Sequence, residues 1–197
     1  MTRTAQASGL LVEAFREHVD VPDAVAQAFC DAVQAKLVAG KKVHLGPLGT
    51  FSLSTRARFE GVHPKTGEVM VVPAARIPVF RQAGGLHHAL GILSPPHTTK
   101  RTTTVLKGIP KALWPDMVTS LTTHLAARLL EGTNVELGSL GHFSLATRKA
   151  FVGYNPKTGE TMQVPSASLA VFRASPALKV ALNPRDGHAG EDLPAAR

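Results

Sequence analysis

Residues 61–67 read GVHPKTG and residues 153–159 read GYNPKTG, 92 positions apart. Each run is a turn by composition: proline sets φ at the first central position and glycine supplies a positive φ later. Cations flank both turns. Arg56, Arg58, Lys65, Arg76 and Arg81 accompany the first, and Arg148, Lys149, Lys157, Arg173 and Lys179 the second. Residues 54–81 hold five Lys/Arg and two Asp/Glu, five minus two or +3; residues 146–173 hold four and one, four minus one or +3 again. The chemistry on offer is attraction of a polyanion, not bond-making. Covalent or metal chemistry finds no constellation: there is no H-E-x-x-H, no Cys/His cluster and no nucleophile or carboxylate-pair motif, and GPLG lacks the Lys-Ser/Thr ending of a phosphate loop. His87 and His88 are adjacent on an expected helix, point apart and read as surface residues. No enzyme activity, metal, cofactor or small-molecule substrate is expected.

The whole chain agrees in sign. Its 197 residues carry 22 Lys+Arg against 14 Asp+Glu, a net charge of +8, and that balance favours nucleic acid or an anionic membrane surface as partner. The excess is spread along the chain: ten minus seven in residues 1–91 and twelve minus seven in residues 92–197. A single cysteine, Cys30, excludes an intrachain disulfide, and its helical spacing with Val25, Phe29 and Val33 suggests an inert buried thiol. There is no apolar run of membrane-spanning length and no leader pattern at the start, so a soluble, intracellular protein without a membrane partner is expected.

The elements that must position the cations come as a duplication. Shifted by 92, residues 40–90 align without a gap on residues 132–182, and 28 of the 51 pairs are identical. Two copies of domain size are too few for a solenoid. In the first copy Val25, Phe29, Ala32, Val33 and Leu37 recur at helix spacing, with Asp20 as N-cap, Pro22 in the first turn and Gly40 past the end. Met117, Leu121, Leu125 and Leu129, with Pro115 and Gly132, repeat this in the second. The period then switches to two: Val43 and Leu45, a Gly-Pro-Leu-Gly turn, then Phe51 and Leu53 read as a hairpin. Its second strand is expected to run on through Arg56 and Arg58 to the GVHPKTG turn, returning over Val69–Val72, with a last helix over about Arg81–Leu90. From about Ser54 to Val72 the ribbon has no face that would dock on a core, and a free two-stranded ribbon is marginal in water.

GPLGTFSLSTRARFEGVHPKTGEVMVVPAARIPVFR and GSLGHFSLATRKAFVGYNPKTGETMQVPSASLAVFR resemble the HU/IHF family of bacterial DNA-bending proteins. The match lies in the GxxGxF turn, the PKTG tip, the V-P-A or V-P-S that follows and the V-F-R that opens the last helix. The resemblance implies an α+β fold: an intertwined pair of units with a helical base, a saddle of strands and two ribbon arms around double-stranded DNA. It also implies that the tip prolines, Pro64 and Pro156, wedge between base pairs. A compact, rigid ring without a hydrogen-bond donor suits that role, and unstacking a step costs about a few kcal/mol, offset when bent DNA reaches more basic surface. The ten cations named above then neutralise phosphates, with arm arginines entering the minor groove.

The repeat divides the chain into a first unit (1–91) and a second unit (102–183), joined by a linker (92–101) with Pro, Ser and Thr and followed by a tail (184–197) whose Pro, Gly and charge make disorder the expectation. A first helix is expected from about Ser8 to His18, whereas its counterpart TTTVLKGIP (102–110) is β-branched and broken by Gly108 and Pro110. A linker of about ten residues sets an effective concentration near millimolar, so a monomeric chain holding one pseudo-dimer is expected, with a homodimer by exchange as the rival. Such a protein belongs in the cytoplasm, at the nucleoid, and reads minor-groove DNA with little sequence specificity. Phe59, Glu60, Val62, Phe151, Val152 and Tyr154 stand where family arms carry more arginine. They favour a second reading, an assembly module with weakened DNA binding.

Overall fold

Hydrophobic periodicity builds the same elements twice, after a first helix that among the described residues only one copy has. A computed structural model describes residues 9–92, 103–107, 109, 111–155 and 158–184. The first copy runs α1 (Gly9–Phe15), α2 (Pro22–Val38), β1 (Val43–Leu45), β2 (Gly49–Arg56), β3 (Phe59–Val62), β4 (Val69–Val72), β5 (Ala75–Gln82) and α3 (Gly84–Ala89). The second runs α4 (Trp114–Leu130), β6 (Val135–Glu136), β7 (Gly141–Arg148), β8 (Phe151–Tyr154), β9 (Thr161–Val164), β10 (Ala167–Ala174) and α5 (Pro176–Leu182). This is the expected α+β pattern of helices, hairpin and ribbon in each copy. Pro156, Lys157, most of the linker and all but the first residue of the tail lie outside the described residues.

Each copy makes one three-stranded antiparallel sheet, β1-β2-β5 or β6-β7-β10, and one two-stranded ribbon, β3-β4 or β8-β9. The central pairing runs from Gly49↔Gln82 to Arg56↔Ala75 in the first sheet and from Gly141↔Ala174 to Arg148↔Ala167 in the second. Apolar residues alternate inward along these strands, which turns Phe51, Phe80, Phe143 and Phe172 toward one another. The rings meet across the copies: Phe51 lies 5.0 Å from Phe172 and Phe80 lies 4.8 Å from Phe143, centroid to centroid. Within the copies, Phe51–Phe80 is 4.8 Å and Phe143–Phe172 is 5.2 Å.

The helices are exchanged as well. The last helix of each copy packs on the long helix of the other, α3 on α4 and α5 on α2, while α1 lies against both α2 and α4. One buried apolar cluster therefore spans both copies. Polar links cross it: Gln82 Nε2 donates to the Ala170 carbonyl at 2.8 Å, and Cys30 Sγ donates to the Leu137 carbonyl at 3.6 Å. Burial pushes the Cys30 thiol up to about 11, which keeps it protonated.

No helix forms over the described part of residues 103–113. Instead Thr104 closes the free edge of β1. Its N–H donates to the His44 carbonyl at 2.8 Å, and its hydroxyl accepts from the His44 N–H at 2.9 Å. Trp114 Nε1 then donates to the Thr104 carbonyl at 3.1 Å, and Leu106, Ile109 and Trp114 are buried. The residue types that spoil a helix here supply extended backbone and core volume.

Three local expectations need correction. Val21, not Asp20, is the N-cap of α2, with no side-chain cap. The long strand is broken at residues 57–58, so β2 ends at Arg56 and a separate ribbon begins at Phe59. Val79-Phe80-Arg81 and Val171-Phe172-Arg173 end strands rather than open helices, because Phe80 and Phe172 are the register partners of Phe51 and Phe143. The last helices start three residues after the arginines. In α5 the Ser175 hydroxyl accepts from the Leu178 N–H at 3.0 Å; in α3 the Pro47 carbonyl accepts from the Leu86 N–H at 2.9 Å.

Phe143→Ala is expected to cost about 3–5 kcal/mol and to leave one cooperative urea transition, since this ring packs on both copies. Trp114 fluorescence and circular dichroism should then share a midpoint; two midpoints would mean that the copies unfold independently.

Candidate nucleic-acid interface

With Phe51, Leu53 and Phe80 turned inward, alternation leaves Thr50, Ser52, Ser54 and Arg56 of β2 beside Ile77, Val79 and Arg81 of β5 on the outer face of the first sheet. The second sheet presents His142, Ser144, Ala146 and Arg148 beside Leu169, Val171 and Arg173 in the same way. Four exposed arginines, Arg56, Arg81, Arg148 and Arg173, thus occupy equivalent places on two outer faces. Close strand approach helps to set this geometry. Gly49 (φ +152°) and Gly141 (φ +144°) press on the Arg81 and Arg173 carbonyls, where a Cβ would collide.

The ribbons continue from these faces. Arg58 and Lys149 are exposed in the breaks between sheet and ribbon, and Lys65 and Pro64 are exposed at the first tip. That tip is closed by two backbone bonds, His63 N–H to the Glu68 carbonyl at 2.8 Å and Gly67 N–H to the His63 carbonyl at 2.9 Å. The His63 ring adds a third, accepting from the Thr66 N–H at Nδ1 at 3.2 Å. Asn155 holds the equivalent place in the second tip, with the same pair of backbone bonds to Glu160 and Gly159. Along both ribbons apolar side chains face solvent: Val62, Val69 and Val71 in the first, and Val152, Tyr154 and Met162 in the second.

The ribbon bases are unequal. Asn183, beyond α5, clamps the backbone of Arg76: Oδ1 accepts from its N–H at 2.7 Å and Nδ2 donates to its carbonyl at 2.9 Å. Shifted by 92, the place of Asn183 is Gly91 and that of Arg76 is Ser168, so the second ribbon lacks this side-chain clamp. At the other base stands His87, half-buried rather than on the surface as expected. Burial lowers its pKa first, and the charge of Arg148 lowers it further. Elsewhere, a cleft of about 350 Å³ is lined by Glu17, His18, Asp116, Thr119, Ser120, Thr123 and His124. Its carboxylates have the wrong sign for a polyanion. No helix among the described residues is long and apolar enough to cross a membrane.

A family model described as Bacterial DNA-binding protein matches this chain twice, over residues 16–91 and 104–183. The chain belongs to that family. DNA-binding protein HU-beta of Neisseria meningitidis serogroup A is 39% identical over 84 residues, which cover 41% of this chain and 94% of that protein. Integration host factor subunit alpha of Rhodospirillum rubrum is 35% identical over 78 residues, or 40% of this chain and 72% of that subunit. A solved structure titled Anabaena HU-DNA cocrystal structure is 33% identical and covers 44% of this chain and 97% of its own, with a TM-score of 0.38. One family unit thus corresponds to about two-fifths of this chain.

Of the cations singled out in the sequence, Arg56, Arg81, Arg148 and Arg173 share the outer faces. Arg58, Lys65 and Lys149 follow the ribbons, Arg76 stands at the start of β5 on the face opposite to Arg81, and Lys179 sits on α5. Pro156 and Lys157 lie outside the described residues. The Asn183 clamp escaped sequence reading because its two partners are 107 residues apart. Removing it should loosen one arm alone: in Asn183→Ala, amide exchange at Arg76 is expected to accelerate about fivefold or more, as loss of about 1 kcal/mol implies, while Ser168 stays unchanged. Equal acceleration at both positions would contradict the unequal bases.

Proposed function

We propose that this chain is an architectural, nucleoid-associated protein that holds double-stranded DNA in the minor groove between two ribbon arms and bends it with little sequence specificity. The observation that carries the reading is the repeated placement of Arg56, Arg81, Arg148 and Arg173 on outward faces from which two ribbons extend. Phosphate neutralisation supplies the affinity: Arg58, Lys65 and Lys149 extend the basic track along the arms, and Arg76, Lys157 and Lys179 would add positive charge. Pro64 and Pro156 would act as tip wedges. The relatives support the partner, since those named DNA-binding protein HU carry the same family unit. Little base reading is expected, because minor-groove edges are degenerate and the outer faces offer mostly Ser, Thr and aliphatic side chains around the arginines.

The exposed apolar residues of the ribbons favour a second reading, an assembly module that binds protein instead. Mobility shift at two salt concentrations separates them. Contact with about six phosphates costs roughly three decades of affinity between 50 and 200 mM salt, whereas an assembly module would bind duplex poorly at both. The chain with Pro64→Ala and Pro156→Ala should still fold and bind, but should bring duplex ends less close in energy transfer between end labels. Unchanged transfer would limit both prolines to shaping their turns.

A further inference from the structure

The ribbon bases carry one three-residue unit in both copies. The Arg56 guanidinium lies over the Phe59 ring, 5.6 Å from its centroid, and Arg148 lies over Phe151 at 5.3 Å. Neither ring belongs to the core, for they are 48% and 47% exposed. Each ring lies along its strand beside the glycine two residues on. A Cβ at Gly61 would come within 3.4 Å of the Phe59 ring, and one at Gly153 within 3.5 Å of the Phe151 ring. Arg, Phe and Gly are identical in the two copies, whereas the positions between them and the one after the glycine differ: Ala57 and Lys149, Arg58 and Ala150, Glu60 and Val152, Val62 and Tyr154. The unit has stayed whole although the residues inside it have changed.

A guanidinium set on a ring face keeps its edge N–H donors free, which is the geometry that receives a phosphate oxygen. Arg56 adds a long bond, Nη2 donating to the Pro73 carbonyl at 3.5 Å, that limits its swing further. Resting on the DNA-binding reading above, we infer that Phe59 and Phe151 are positioning residues, each holding one arm arginine by cation–π contact toward duplex phosphate. The rings act through the arginines and need not touch DNA. This also accounts for aromatics on an exposed ribbon, where a solvated arm gains nothing from them.

A double-mutant cycle on the full chain tests this with an end-labelled random-sequence duplex as probe. Phe59→Leu with Phe151→Leu keeps apolar bulk and removes the ring face. It should weaken binding about two- to fivefold per arm and flatten the slope of log K against log salt by about 0.9 per arginine released. Phe59→Tyr with Phe151→Tyr should retain both affinity and slope. In a chain already carrying Arg56→Ala and Arg148→Ala, the leucine pair should change nothing further. An additive loss in that background, or weaker binding with an unchanged slope, would overturn the inference, because the rings would then act on DNA themselves or only on the ribbon. Thermal unfolding should be unaffected by the leucine pair. Should that chain unfold, the single variants F59L and F151L carry the same cycle one arm at a time. If the unaltered chain fails to bind duplex at all, the DNA-binding reading falls first; if it binds and the cycle is additive, only the positioning role falls.

Discussion

Four phenylalanine rings set the shape of this molecule. Phe51 and Phe80 come from one copy and Phe143 and Phe172 from the other, at positions related by the 92-residue shift. Each ring meets rings of both copies, so neither copy finishes its core alone. Offset and edge-to-face aromatic contacts are directional, at about 0.5–1.5 kcal/mol each beyond simple burial. They therefore fix how the two sheets face one another as well as how tightly they are held. Everything outside the cluster inherits that orientation. With the rings turned inward, alternation turns Arg56, Arg81, Arg148 and Arg173 outward, and the ribbons leave from the far ends of the same strands.

The duplication has also let the halves diverge where symmetry is not needed. A unit that never folds alone can lose its first helix, provided that something fills the space. Thr104, Leu106, Ile109 and Trp114 do so while closing the edge of β1, an edge that would otherwise be open to pairing with another chain. The bases have diverged too, with an asparagine clamp at one ribbon and a half-buried histidine beside Arg148 at the other. The long helices, the sheets and the Arg–Phe–Gly unit have stayed alike. An unequal pair of arms on a nearly symmetric base gives the chain a direction that a pair of identical units lacks.

Much of this was legible in the sequence because it rests on local periodicity. The long helices follow from Phe29, Val33 and Leu37 or Leu121, Leu125 and Leu129, and the hairpins from Phe51 and Leu53 or their partners. The family was legible because the PKTG tips recur at one spacing. The strand character of Val79-Phe80-Arg81 was not, since two apolar residues before an arginine suit a helix start equally well, and only the ring partners Phe51 and Phe143 decide. Nor was the Arg56–Phe59 contact, because it depends on the break at residues 57–58 that turns the chain between sheet and ribbon. Contacts that cross the copies, such as Cys30 with Leu137 or Gln82 with Ala170, carry no local signal at all.

The central claim is that one chain supplies both halves of the saddle. Light scattering across a dilution series tests it most directly. A mass near 20.8 kDa at every concentration is the predicted result, because the linked copy closes the aromatic cluster at an effective concentration near millimolar, about what a short flexible linker provides. A mass near twice that value, unchanged on dilution, would contradict it and mean that the phenylalanine cluster is completed by a second chain.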